Sequence, residues 1–316
     1  MFKWIKKVHL FKPSGQFDWM QTHAQVPFTL ILGNVLRIYF STREKADKSG
    51  QFKSYSGFID VDKNNFSNIL RISKSPILEL GKPGEFDEYG IMAGSIIRKH
   101  EKFLLYYCGW TRCKSVPYNW AIGIAESLDG TNFKKLGLGP LLGPTLNEPY
   151  LQACPIVYKD LNEKWHMFYL SGVKWFDHKN KKESQYLLMH AESLDGYVWE
   201  RDGVPIIETL VENECQTSSS IIFKNGCYHM FFSYRYGLDF RNKLSNGYRI
   251  GYAKSYDLKN WDRNDNLAGI NLSDEGWDSE MIAYPHIFTL DNRTYMIYCG
   301  NYFGKSGFGY AILDQE

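Results

Sequence analysis

Short apolar runs closed by polar turns recur along this chain at a nearly constant spacing. Five runs are rich in aromatic residues and apolar on both alternations: 37–41 (RIYFS), 104–109 (LLYYCG), 167–172 (MFYLSG), 230–234 (MFFSY) and 296–300 (MIYCG). Such runs predict strands covered on both faces. About ten residues before each lies another short apolar run: 27–30 (PFTL), 95–97 (SII), 155–157 (PIV), 220–222 (SII) and 285–287 (PHI). Proline at a strand's first position removes no needed ladder donor. A third run, seen at 121–125, 187–191 and 250–253, ends in a Ser-x-Asp turn: 127–133 (SLDGTNF), 193–199 (SLDGYVW) and 255–261 (SYDLKNW). In these turns Ser and Asp can bond backbone groups, Gly supplies a positive φ, and the closing aromatic starts a return strand.

The three Asp residues of these turns, Asp129, Asp195 and Asp257, lie 66 and 62 positions apart. A period of that size marks a repeat architecture. The unit is a polar approach, then four strands, and five units of about 63 residues fill the chain. Four-stranded sheets repeated radially form a β-propeller. The reading is an all-β, single-domain, five-bladed β-propeller over residues 1–316. Its last unit lacks a fourth strand after Ile312, and residues 4–10 (WIKKVHL) are expected to supply it, closing the ring and hiding an edge.

Composition refines this picture. Aromatic residues make up 16% of the chain, which suits sheets. The net charge of +2 gives no footprint for nucleic acid. No apolar run is long enough to span a bilayer, and the basic start at 1–7 is followed by no apolar segment of a signal peptide. The six cysteines show no metal-ligand spacing and several sit in apolar runs. The expectation is a reduced, cytoplasmic protein with no metal and no cofactor.

The polar approaches carry the candidate chemistry: His23 and Gln25; Asp87 and Glu88; Glu148 and Gln152; Glu214, with Gln216 and Thr217; Asp278 and Glu280. A second set follows the aromatic strands: Arg43, Trp110, Arg112, Trp175, Arg235, Arg241 and Asn301 with Lys305. Tryptophan faces suit sugar rings, and arginine forks suit carboxylate or phosphate. The surplus of arginine points to a ligand with an anionic group, such as a phosphate or an acidic sugar. The competing reading is that Arg43, Arg235 and Arg241 pair with the acids, and that each acid caps a turn or forms a salt bridge.

With its five repeats, the chain resembles the five-bladed propeller glycosidases: the invertase family (32), the arabinanase and xylosidase family (43) and the mannoside phosphorylase family (130). In those families the first strand of each blade lines a central funnel. The resemblance therefore implies that the acidic approaches share one pocket. It also implies a nucleophile or base from the first blade, a helper acid from the second and a proton-donating Glu from the third. Here the first blade has His23 and Gln25 where an acid is expected. The Arg-Asp-Pro of the invertases is replaced by Phe86-Asp87-Glu88, and a Glu-Cys pair like their acid motif, Glu214-Cys215, falls in the fourth blade. Glycoside cleavage needs a protonated carboxyl at the leaving oxygen and a second carboxylate across the ring. Crowded carboxylates would raise one pKa to serve that need. On this basis Glu214, Glu148, Glu88 and Asp278 are the catalytic candidates, with Glu214 foremost. His23, Gln25, Arg43, Asp87, Trp110, Gln152, Arg235, Arg241, Glu280 and Asn301 are the substrate-binding candidates. Two functions follow: an enzyme that hydrolyses, phosphorolyses or transfers at a glycosidic bond, with polysaccharide biosynthesis fitting a cytoplasmic setting, or a carbohydrate-binding propeller without catalysis.

Overall fold

The computed structural model describes residues 2–314. It is all-β, and none of its helical segments is long and apolar enough to cross a membrane. After β1 (Trp4–Phe11) the strands run as antiparallel meanders. The first unit is β2 (Thr22–Leu32), β3 (Val35–Arg43), β4 (Ser54–Asp62) and β5 (Asn65–Ile72). The second is β6 (Gly90–Lys99), β7 (Lys102–Arg112), β8 (Tyr118–Ser127) and the short β9 (Lys134–Lys135). The third is β10 (Gln152–Lys159), β11 (Trp165–His178), β12 (Lys181–Ser193) and β13 (Glu200–Arg201). The fourth is β14 (Cys215–Lys224), β15 (Cys227–Arg235), β16 (Arg249–Ser255) and β17 (Asp262–Arg263). In the last, β18 (Ala283–Leu290), β19 (Arg293–Cys299) and β20 (Phe308–Leu313) are completed by β1, which pairs antiparallel with β20 from Trp4↔Leu313 to Phe11↔Phe308.

The aromatic runs are the second strands, and their side chains are buried on both faces. Tyr39, Tyr106, Tyr107, Tyr169 and Tyr298 are among the largest fully buried residues. Apolar clusters lie between neighbouring units, so each sheet face is covered by the next one. First strands touch in cyclic order, β2 to β6, β10, β14 and β18, and β18 touches β2 again. Polar side chains stitch these seams. Ser95 accepts from the Val157 N–H at 3.1 Å, Ser220 from Ile287 at 2.8 Å, and Thr29 bonds His286 at 2.9 Å across the last and first units.

The Ser-x-Asp turns behave as the residue types require. Ser127 accepts from the N–H of Asp129 and Gly130, and Asp129 accepts from Thr131 and Asn132. The same bonds recur at Ser193/Asp195 and Ser255/Asp257. The residue after Asp is left-handed in all three copies: Gly130 (φ 66°), Gly196 (φ 79°) and, without glycine, Leu258 (φ 64°). Its carbonyl reaches the preceding unit in two copies, accepting from Tyr39 and from Tyr106. The turn is therefore a clamp between units as well as the end of a hairpin.

Candidate functional site

Each first strand breaks register near its start: between Gln25 and Phe28, Ala93 and Ser95, Ala153 and Ile156, Thr217 and Ser220, and Ala283 and His286. A bulge bends a strand and re-aims a side chain. Four of these bulges hold a non-glycine residue in left-handed backbone: Val26 (φ 50°), Cys154 (φ 50°), Ser218 (φ 46°) and Tyr284 (φ 57°). Left-handed backbone at β-branched Val26 is costly and persists only where its surroundings over-determine it. Val26, Ala93, Gly94, Cys154 and Tyr284 line a central cavity of about 370 Å³.

The cavity wall is aromatic and cationic. Second strands and the loops after them give Arg43, Trp110, Arg235, Phe240 and Arg241, while β8 gives Tyr118 and Trp120, β12 gives Tyr186, and Tyr248 stands just before β16. Gly90 makes room for the Trp110 indole, since a Cβ there would sit 1.7 Å from Nε1. Tyr118 and Trp120 stack with centroids 4.5 Å apart. No carboxylate lies in this wall among the described residues. A second depression of about 260 Å³ shares Arg43, Phe240, Arg241 and Phe303 with it and adds His23 and Glu280.

The three arginines are held differently. Arg241 pairs with Glu183 and stacks on Phe240 at 4.2 Å. Arg43 donates to Gln25 Oε1 at 3.2 Å and lies over Phe52 at 4.4 Å. Arg235 is buried, stacks on Phe240 at 3.4 Å, and donates to Tyr186 at 2.9 Å and to the Tyr236 carbonyl at 2.7 Å. Its Nε has no partner. Among the described residues, no carboxylate pairs with Arg43 or Arg235. Burial lowers the Arg43 pKa to about 10, and the nearby charge of Arg241 adds to this, yet Arg43 stays cationic at neutral pH. Burial, with Arg43 and Lys305, pushes His23 down to about 3, so it is neutral there.

The predicted acids divide into two groups, and most of them leave the cavity. Asp87 meets Lys135 at 2.6 Å and Tyr107 at 3.0 Å. Glu148 meets Arg201 at 3.2 Å and Tyr169 at 2.9 Å. Asp278 meets Lys6 at 2.7 Å and Tyr298 at 2.9 Å. Glu214 is bound by Arg263 at 2.6 Å, Gln216 at 2.8 Å and the N–H groups of Leu210 and Val211. All four are buried, and each ties the approach to its first strand to the fourth strand of the same unit. The expected crowd of carboxylates in one funnel is thus a set of separate ion-pair clasps. Glu214 as proton donor, and Glu148 or Asp278 as the group raising its pKa, do not fit this geometry, because each carboxylate already faces its own cation. Glu88 caps a surface turn by accepting from the Gly84 N–H. Gln152 buttresses the third clasp by donating to the Glu148 carbonyl and Ser171. Asn301 accepts from the N–H groups of Glu280 and Met281 and so fixes the Glu280 loop.

The structure therefore gathers His23, Gln25, Arg43, Trp110, Arg235, Arg241 and Glu280 around the connected cavities. Sequence reasoning missed Glu183 and the tyrosines Tyr118, Tyr186, Tyr248 and Tyr284. A signal existed for three of them: an aromatic residue stands just before the apolar run of the third strand in the second, third and fourth units.

The fold is that of the propeller glycosidases. A glycoside hydrolase superposes with a TM-score of 0.75 at 17% identity, covering 98% of this chain and 90% of its own. A protein from the GH130 family of mannoside phosphorylases, which contains glycoside hydrolases that target beta-1,2 mannosidic linkages in Candida mannan, gives 0.65 at 14%, covering 99% and 94%. The chain belongs to the family of the uncharacterized proteins MT1551 and Rv1502 of Mycobacterium tuberculosis, with 34% identity to each over 99% of both chains. No protein-family model matches it.

Proposed function

We propose that the chain is one five-bladed propeller domain, its last blade completed by β1, that binds a carbohydrate and an oxyanion together in the central cavity. In this reading it performs phosphorolysis, or the related glycosyl transfer, at a glycosidic bond. The observation that carries it is the pair Arg43 and Arg235, the first half-buried and the second buried among aromatic rings, both without a carboxylate partner. An unpaired buried cation is expensive, and a bound phosphate or sugar carboxylate would offset that cost through charge-assisted bonds.

Two-carboxylate hydrolysis needs a second acid across the sugar ring. Among the described residues only Glu280 brings a carboxylate to the connected cavities, while Glu183 is held by Arg241. Glu280 Oε2 is buried without a hydrogen bond, and the Asn301 bonds fix its backbone. One carboxyl suffices when the attacking group is an anion supplied with the substrate. The oxyanion held by Arg43 and Arg235 attacks the anomeric carbon, the glycosidic C–O bond breaks, and the Glu280 proton passes to the leaving oxygen. The products are a sugar phosphate and a free sugar hydroxyl. The aromatic wall holds the ring faces and excludes water from the competing attack.

A panel of glycosides and disaccharides, assayed with and without inorganic phosphate, tests this. Phosphate-dependent release of a sugar phosphate supports the reading. Equal release without phosphate would replace phosphorolysis by hydrolysis. The second reading, a binding propeller without catalysis, is favoured by the single carboxylate. Calorimetric binding of acidic or phosphorylated sugars with no turnover of any panel member would establish it.

A further inference from the structure

A second cluster lies away from the cavity, at the seam between the third and fourth units. Strand alternation places His190 and Glu192 on one face of β12, and β11 sets His166 directly opposite Glu192. His166 Nδ1 and His190 Nε2 are 2.9 Å apart, and Glu192 Oε1 is 3.9 Å from His166 Nδ1. One ligand atom from each of the three falls within 4.8 Å of the others. The Ser255–Trp261 turn of the fourth unit roofs the cluster through Lys259, which reaches Glu192 at 3.1 Å.

We propose that His166, His190 and Glu192 form a binding site for a divalent transition-metal ion of the zinc type. Two imidazoles and one carboxylate are a donor set that Zn²⁺ accepts, with water in the remaining position. The 2.9 Å separation of the two nitrogens is that of a hydrogen bond, and a shift of about 0.4 Å would open it to the spacing of neighbouring ligands on a tetrahedral ion with the usual Zn–N distances. Asp160 Oδ2 lies 3.5 Å from His166 Nε2, which turns Nδ1 toward His190, and the hydrogen bond between the two rings holds one proton that the ion would displace. A carboxylate behind a ligating histidine is the usual outer-shell support of such sites. His166 is buried while His190 and Glu192 are partly open, so an ion can enter from solvent.

Lys164 and Lys259 oppose the ion. Both pair with Glu192 Oε2, at 2.9 and 3.1 Å, and leave Oε1 toward the histidines. They set a modest affinity and give the proposal a signature that an unspecific histidine site lacks: removing one lysine should tighten binding.

Isothermal titration of Zn²⁺ and Co²⁺ into the full chain provides the test, in a Cys113→Ser background because Cys113 is the exposed thiol. The expected result is one ion per chain in the micromolar range. Binding should weaken by about tenfold or more in His190→Gln and in Glu192→Gln, and tighten in Lys259→Ala. The melting temperature should rise with Zn²⁺ in the parent and not in His190→Gln. No stoichiometric binding below about 100 µM metal overturns the proposal, as does equal binding in His190→Gln. These readouts need no carbohydrate, so they are independent of the cavity's role.

Discussion

Two sets of charges in this molecule behave in opposite ways. The clasp acids Asp87, Glu148, Glu214 and Asp278 recur at equivalent places, and each meets a cation from the fourth strand of its unit. The cavity cations Arg43 and Arg235 have no carboxylate partner. Charges repeated in four of the five units serve the repeat, because each ties the inner approach of its unit to the outer edge. Arg43 and Arg235 also stand at equivalent places, the ends of β3 and β15, but no acid of the fold neutralises them. The acids looked like a shared catalytic set because the repeat displays each of them shortly before a first strand.

The largest effect is expected where the clasp and the ring meet. Deleting residues 1–10 removes most of β1, the Lys6 partner of Asp278 and the buried Trp4. Cooperative thermal unfolding should be lost, and a truncated protein that melts like the parent would disprove closure by β1.

Next comes the fourth clasp. Glu214→Ala leaves the Arg263 guanidinium, which is shielded from solvent, with Asp265 as its one remaining carboxylate and the Glu208 carbonyl as a neutral acceptor. Removing one member of a buried pair costs about 3–5 kcal/mol, and denaturant titration should show a loss of that order. The contrast sharpens at Glu280→Gln. That variant should keep its melting temperature and lose roughly 10²-fold or more in turnover, the scale of general acid catalysis. If instead Glu214→Gln stays stable and loses turnover, the division between clasp and cavity fails.

Arg43→Met separates stability from binding. It should weaken calorimetric binding of a phosphorylated or acidic sugar by about 1–3 kcal/mol, the worth of a charged hydrogen bond. Without ligand it should melt no lower than the parent, since it removes a half-buried, unpaired cation. A clear drop in the melting temperature would mean that Arg43 is structural.

The smallest effect concerns the turns. Donors in the turns hold Asp129, Asp195 and Asp257 below the usual carboxylate range: at Asp195 the Val198 and Tyr197 N–H groups dominate, and at the other two the donors overcome a burial effect of opposite sign. A depressed carboxyl pKa gives stability that is complete above the unfolded value and is lost as pH falls. The melting temperature should begin to fall below about pH 6.5, where histidines of the unfolded chain protonate while buried His23 and His190 stay neutral, and the turn carboxyls should add a steeper decline below about pH 4. Asp129→Asn should flatten that decline slightly, and an unchanged acid limb would show that the turn carboxyl contributes nothing.

Much of the architecture was legible in the chain. Doubly apolar runs such as 167–172 can only be strands buried on both faces, and the Ser-x-Asp turns bond their own backbone, so both are local consequences of residue type. The pairing of residues 4–10 with β20 was legible too, because an unfinished meander at one end and a spare strand at the other satisfy each other. Arg43, Arg235 and Arg241, expected beside one another because they follow the aromatic strands, do line one cavity. Which acids belonged with them could not be named. Lys135, Arg201, Arg263 and Lys6 reach the clasp acids from the fourth strand of each sheet, and Glu183 reaches Arg241 across 58 residues. Hydrophobic period and turn chemistry are short-range and can be read from neighbours in the chain. Charge pairing depends on distance in space, and the fold alone determined which carboxylates were neutralised and which cations were left without a carboxylate.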